Sequence, residues 1–411
     1  MVSSAAHASA TAPSLHSGAA VSGGDLPMPL SPSAPAPREM LRLAIVYAVA
    51  INGTILTPFI VSSLMLRFGL DEGQGTMMTG FEMLGMALSC MLLPHWVARY
   101  ASRFARIGVL GTVAMQVASA LLATAQAVSI ARGMAGVFEG MLFMLVAARV
   151  AKQPSAERIW GVIVLVAGLV NGALLIGISY LPERWSAQWL FLALAALVVC
   201  AAPTLLQAGR AIVHDHGDQQ KSSDTGLPWL RIAAVWLFTI LIYGVQAGQW
   251  AVTELAGQHA GLATSTIGIL LSVSSFLGFL GCIASSLRGS HRHRRMIIVA
   301  AQLLMAVSVM WFFSARTGAT YFSSQLLLNV GFYALTPFLT GLLSEIDADG
   351  SLVSRTVVVT LVGVAFGTTV AGWLLTVLGA EHFGMVLGTA VLFGIPLVAI
   401  AFASGKQTRI E

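Results

Sequence analysis

The chain has 411 residues, of which 57% are hydrophobic and only 9% charged, with a formal net charge of +5. Soluble domains carry about 25% charged residues, and apolar runs long enough to cross a bilayer recur along the whole length. A soluble enzyme and a nucleic-acid-binding module are therefore excluded, and an all-α membrane protein is expected. The cysteines, Cys90, Cys200 and Cys282, lie in apolar segments without CxxC or Cys/His ligand spacing. That pattern predicts neither a disulfide framework nor a metal site, and no cofactor motif is present.

Residues 1–39 are rich in Ala, Ser, Pro and Gly, with no Lys or Arg before Arg38. Without a basic start and an apolar core they do not read as a signal peptide, and a disordered cytoplasmic tail is expected. Twelve spans follow, at approximately 41–64, 76–96, 107–126, 129–150, 159–181, 187–207, 230–253, 263–287, 296–314, 319–343, 352–378 and 383–404. A polar loop over 209–229 divides them into bundles of six, 40–208 and 230–405, before a short tail at 406–411. With the N-terminus inside, 18 of the 22 basic residues fall in inner loops or tails. The positive-inside rule thus places both termini in the cytoplasm. The halves also echo each other: basic loops follow spans two and eight, and Gly168/Gly172 in span five match Gly363/Gly367 in span eleven. Internal duplication of this kind is expected of secondary transporters.

Span four, SIARGMAGVFEGMLFMLVAARVAK from Ser129 to Lys152, carries Arg132 and Glu139 in an apolar run. A charge at the bilayer centre costs at least about 2.5–3.5 kcal/mol, so such residues are functional or paired. Arg132, Gly136 and Glu139 share one helix face. Glu82 stands in span two, in MMTGFEMLGMALSC. An isolated membrane carboxyl gains and loses a proton near neutral pH, which suits coupling; alternatively Glu82 forms a static pair with Arg132. Glu82, Arg132 and Glu139 are the candidates for proton coupling or gating.

These features resemble the major facilitator superfamily. The resemblance covers residues 40–405 and rests on the six-plus-six topology, the central loop, the basic loops after spans two and eight, and the Arg132/Gly136 spacing of span four. It implies two pseudo-symmetric six-helix bundles, and a role for Arg132 in proton transfer or anion contact. Two departures are visible. Arg99 in HWVARYASRFAR stands where the family has an Asp, so the gating salt bridge of that Asp is not carried over. GLVNGALLIG in span five lacks the Pro of the antiporter signature, which weighs against a drug exporter.

Polar residues at mid-span depth supply the candidate substrate site. These are Asn52 and Asn171 in the first half, and Gln246, Gln249, Asn329 and Tyr333 in the second. An interhelical hydrogen bond is the alternative role for each. Trp250 is a contact for a flat apolar ligand or an interfacial anchor, and Pro58 is expected to bend span one. Glu345, Asp347 and Asp349 read as a solvated helix end or an inner-gate salt bridge, and HRHRR at 291–295 as a lipid-headgroup contact. No G-x-x-x-x-G-K-[ST] loop supplies an ATP motor.

The expected function is a monomeric secondary transporter in a bacterial inner membrane. It would move a small organic solute, such as an organic or aromatic acid, by alternating access, with a proton or Na⁺ as coupling ion. A proton-antiport exporter of apolar or cationic compounds and a transporter-like sensor are the competing readings. No enzymatic constellation and no nucleic-acid partner are expected.

Overall fold

A computed structural model describes residues 37–151, 156–181, 187–211, 229–286, 290–344 and 351–403. Most of the N-terminal tail, the central loop, the acidic cluster at 345–349 and the C-terminal tail lie outside the described residues. No strand occurs among the described residues. The helices are α1 (Pro37–Ala50), α2 (Asn52–Ile55), α3 (Thr57–Phe68), α4 (Glu72–Leu92), α5 (Pro94–Leu121), α6 (Ala125–Ala151), α7 (Ala156–Ser179) and α8 (Ala187–Ala211). After the central loop come α9 (Trp229–Ala251), α10 (Thr253–His259), α11 (Thr264–Gly278), α12 (Ile283–Ser286), α13 (Ser290–Phe313), α14 (Gly318–Ser344) and α15 (Ser351–Ala403).

Among the described residues, 10 helical stretches are long and apolar enough to cross a membrane. The surface pattern agrees, because it inverts that of a soluble protein. Leu66, Leu110, Leu121, Ile130 and Phe393 are at least 70% exposed, whereas Glu82, Arg132, Glu139, Gln116, Gln249 and Gln325 are buried. Helix α15 contains two of the ten stretches, parted where Gly379 adopts φ 70°, a conformation open to glycine at little cost. The first expected span is instead divided into α1, α2 and α3, and the seventh into α9 and α10.

Some sequence boundaries are corrected. The basic stretch after span two, expected as a loop, is helical within α5 and kinks at Tyr100 (φ −125°, ψ 27°). Residues 290–295 likewise form the start of α13. The turn between spans three and four lies at 122–124, earlier than the expected 127–130. The cause is Arg67, whose guanidinium donates to the carbonyls of Ser119 (2.6 Å), Ala120 (2.9 Å) and Leu122, capping the end of α5. Capping these otherwise orphaned carbonyls stops the helix there.

Between lipid-embedded helices there is little hydrophobic drive, so close backbone contact at small residues does the packing. A Cβ at Gly367 of α15 would lie 2.2 Å from the Gly244 Cα of α9. The echoed pair Gly168/Gly172 faces a different kind of neighbour. It looks across the halves at Phe279 and Ser272, with nearest approaches of 3.7 and 3.9 Å. The contacts of the two pairs differ, yet their helix positions match: Gly168 and Gly363 are each the thirteenth residue of their helices, α7 and α15. Arg132 and Gln325 correspond in the same way, each at the eighth position of a 27-residue helix, α6 and α14.

Residues from Pro35 onward cluster as one unit, with three apolar cores. One belongs mainly to α9, α13, α14 and α15, and one mainly to the N-terminal helices. The third, with Leu56, Ile60, Met78, Leu175, Leu271 and Tyr321, straddles both halves at the end that holds Phe68 and Glu72. Closure there is direct. A Cβ at Gly73 would stand 2.0 Å from Thr376 Oγ1, and one at Gly268 would stand 2.3 Å from Ser179 Oγ. The Trp250 indole N–H donates to the Ile55 carbonyl at 3.0 Å, and His259 lies 3.3 Å from Glu72. That last contact is solvent-exposed and worth at most about 1 kcal/mol.

Candidate functional site

The site begins with glycine contacts between α4 and α6. A Cβ at Gly136 would sit 1.8 Å from the Glu82 carbonyl oxygen, and one at Gly85 would sit 2.0 Å from the Gly133 carbonyl. The two backbones touch, and this sets Glu82 beside Arg132. Gly136→Leu must force the helices apart. Overpacking typically costs about 1–3 kcal/mol, and contact with backbone places this case at the upper end. A thermal-unfolding midpoint unchanged from wild type would contradict the packing described.

Arg132 is fully buried. Its Nη2 pairs with Glu82 Oε1, and its Nε–H donates to Glu82 Oε2 at 3.0 Å. Its Nη1–H donates to Gln116 Oε1 of α5 at 2.7 Å, and the guanidinium lies 5.2 Å from the Phe191 ring centroid. The Gln116 amide in turn donates to Glu139 Oε1 at 3.2 Å. Glu139 also lies beside Glu82. Two carboxyls, one guanidinium and one amide thus form a continuous network away from lipid. The expected Glu82–Arg132 pair is present; Gln116 and Phe191 were not among the sequence candidates.

Span one crosses this network where its helix is broken. Ile51 (φ −110°, ψ 4°) and Leu56 (φ −87°, ψ 3°) flank α2, and Pro58 opens α3. The Pro58 ring lacks an N–H, which suits the first turn of a helix. Gly53 in α2 lies against the ion pair: its Cβ would stand 2.0 Å from Glu82 Oε1 and 3.4 Å from Arg132 Nη2. Asn52 is fully buried with neither side-chain polar atom partnered. Asn171 donates to the Ala48 carbonyl at 3.2 Å, just before the break, and its Oδ1 is unpartnered.

In the second half the equivalent location is neutral. Gln249 donates to Gln325 Oε1 at 2.7 Å, Gln325 to Asn329 Oδ1 at 3.4 Å, and Gln246 to the same Asn329 oxygen at 3.1 Å. Gln246 Oε1, Gln249 Oε1 and Asn329 Nδ2 have no partner. Gln325, which the sequence reading passed over, is thus central to this ladder.

Tyr333 belongs to a third group, of aromatic rings. It stacks on Phe279 with centroids 4.4 Å apart, and Phe332 packs edge-on against Tyr243 at 5.0 Å. From the first half, Tyr47 packs on Trp160 at 5.2 Å and on Phe143 at 5.7 Å. The second-half rings approach the first half at α7, where a Cβ at Gly168 would stand 3.7 Å from the Phe279 ring.

The Major Facilitator Superfamily profile matches residues 43–346. The chain belongs to the major facilitator superfamily. It is therefore an all-α, multi-pass membrane protein of transporter type. The comparison with curated proteins returned no match. Among solved structures, the chain is similar to the human organic anion transporter MFSD10 (TETRAN), at TM-score 0.62 and 13% identity, covering 89% of this chain and 100% of that one. It is similar to the nucleoside transporter NupG at TM-score 0.69 and 14% identity, over 89% and 100% of the two chains. The peptide transporter POT bound to alafosfalin matches at TM-score 0.69 and 12% identity, over 89% and 93%. Identities this low establish the shared fold and leave substrate to each chain's own residues.

Proposed function

We propose that this superfamily member is a proton-coupled secondary transporter of a small organic solute in a bacterial inner membrane, working by alternating access. The observation that carries the reading is the charge count of the buried network. Glu82 and Glu139 share one guanidinium, Arg132. One proton on the pair of carboxyls makes the network neutral, and its departure leaves a net negative charge away from water. An uncompensated buried charge is costly, so loss of the proton favours rearrangement. Glu139 would then compete with Glu82 for Arg132.

Such a rearrangement has a route to the gate. Gly53 leans on the ion pair, and Ile55, two residues on, accepts the Trp250 indole from the other half. Movement of α2 would pull on that link at the closed end. With both termini cytoplasmic, as the basic residues imply, the closed end is the outer one and the described state is closed to the outside.

Arg132 is the only basic side chain in the buried set among the described residues, and Glu82 and Gln116 already occupy it. This weakens the expectation of an organic acid held by Arg132. Proteoliposomes containing a pH dye test the reading. A panel of organic solutes should include one that moves protons with it only when the protein is present. Solute flux that follows a Na⁺ gradient and ignores a pH gradient would overturn the coupling.

The gate makes its own prediction. In a background lacking Cys90, Cys200 and Cys282, Glu72→Cys with His259→Cys is expected to be joined by a short bifunctional methanethiosulfonate, because those side chains meet across the closed end. The cross-link should stop solute exchange, and reduction should restore it. Full exchange by the cross-linked form would show that this end does not open.

A further inference from the structure

We infer that the ring cluster between the halves binds the transported solute, and that it selects a net-neutral, planar ring system with hydrogen-bond acceptors on its edge. The inference rests on the transporter reading above and specifies its substrate class. Tyr47 of α1 and Trp160 of α7 belong to the first half, and Tyr243 of α9, Phe279 of the 3₁₀ turn Phe279–Cys282 and Tyr333 of α14 to the second; Phe279 meets α7 at Gly168, so the rings gather where the halves meet. All five are half-buried although they lie among packed rings, so part of each ring is left uncovered by the protein.

Their polar atoms are unused. Among the described residues the hydroxyls of Tyr47, Tyr243 and Tyr333 and the indole N–H of Trp160 make no hydrogen bond, and none of these atoms is among the enclosed polar atoms without a partner, so each faces accessible space. The contrast within this protein is direct: Tyr321 donates its hydroxyl to the Thr253 carbonyl at 2.9 Å, and Trp236 donates to Thr356 at 3.0 Å. Those side chains serve packing; the central ones hold free donors beside flat apolar faces. Flat faces suit a planar ring, and free donors suit acceptors on its edge.

Charge sets the remaining specificity. No charged side chain belongs to the ring cluster, and Arg132 is engaged elsewhere. A solute with net charge would be desolvated there without a counter-charge. The cluster still communicates with the ionisable network. Phe143, which touches Tyr47 and Trp160, stands one helical turn after Glu139 on the same face of α6.

Three probes with one ring and different charge test this on the purified full-length chain: indole-3-acetamide (neutral), indole-3-acetate (anionic) and tryptamine (cationic). A ligand of the folded state raises the unfolding midpoint with concentration. The acetamide is expected to do so, with apparent affinity at least about tenfold above either charged analogue, since a site lacking a counter-charge penalises them. Tyr243→Phe and Tyr333→Phe keep the ring and should leave the unliganded midpoint unchanged. Each should weaken acetamide binding by roughly tenfold, as expected for loss of one hydrogen bond to a ligand. The inference is overturned if no probe shifts the midpoint, if a charged analogue binds as well as the amide, or if both Tyr→Phe variants bind like wild type. Glu139→Gln should retain acetamide binding. A failure of proton coupling alone therefore leaves this result standing, and a failure of binding leaves the proton measurements standing.

Discussion

Glu139→Gln is expected to abolish proton-driven accumulation while leaving solute exchange intact. Gln has nearly the shape of a protonated Glu, and its amide can still meet Gln116, which now bonds Glu139 at 3.2 Å. The variant should therefore fold like wild type and mimic the proton-loaded network permanently. One pH unit is worth about 1.36 kcal/mol per proton, so a carrier moving one proton per solute sustains roughly tenfold accumulation across that gradient. In the variant the ratio should fall to unity. Counterflow, in which labelled solute exchanges for unlabelled solute without net proton movement, should proceed at a rate within a few-fold of wild type. Loss of counterflow together with accumulation would assign Glu139 to the conformational change itself and remove it as the proton carrier.

Arg132→Met is expected to be the most destabilising single change in the network. Removing one partner from a buried ion pair costs about 3–5 kcal/mol, because the other charge remains without compensation. Here the loss is compounded. Glu82 would lose both of its guanidinium contacts, and the Gln116 carbonyl would lose its donor. The unfolding midpoint of Arg132→Met should drop sharply, and Glu82→Gln added to it should recover most of the loss, since no bare charge remains at that position. The double variant is then expected to fold and not to transport. Recovery of transport along with stability would show that the ion pair serves architecture alone.

How much of this was legible in the sequence depended on contrast. Glu82, Arg132 and Glu139 stand out because each is a charge within an apolar run. Gln116 lies in the equally apolar GTVAMQVASALL, but an amide there signals weakly, and only the fold shows it between Arg132 and Glu139. Tyr47 and Tyr243 were invisible for another reason. Aromatic residues are ordinary in membrane spans, and the ring contacts of Tyr47 with Trp160 and of Tyr243 with Phe332 are tertiary, between residues about 90 to 110 positions apart. Their lack of hydrogen-bond partners cannot be read from any local pattern.

Backbone features divided in the same way. The α15 break falls between the expected spans eleven and twelve, at Gly379. Pro58 does mark the start of α3, and the earlier break at Ile51 falls beside Asn52-Gly53, a turn-forming pair. A similar break at Val252 (φ −109°, ψ 11°) divides span seven, also without a proline. Both are held by tertiary contacts, including the Asn171 amide on the Ala48 carbonyl and the Trp250 indole on the Ile55 carbonyl. The turn after α5 was misplaced because its cause, Arg67, lies more than 50 residues upstream.

The proton itself is the most direct thing to measure. Infrared difference spectra of the purified protein, collected across a pH titration, report the C=O stretch of a protonated carboxylic acid. Such a band should be present in wild type, titrate as one proton, disappear in Glu139→Gln and respond to the acetamide probe. A wild-type spectrum that retains the same band in Glu139→Gln, or that shows no titrating carboxylic acid at any pH at which the protein is folded, would contradict a proton held between Glu82 and Glu139.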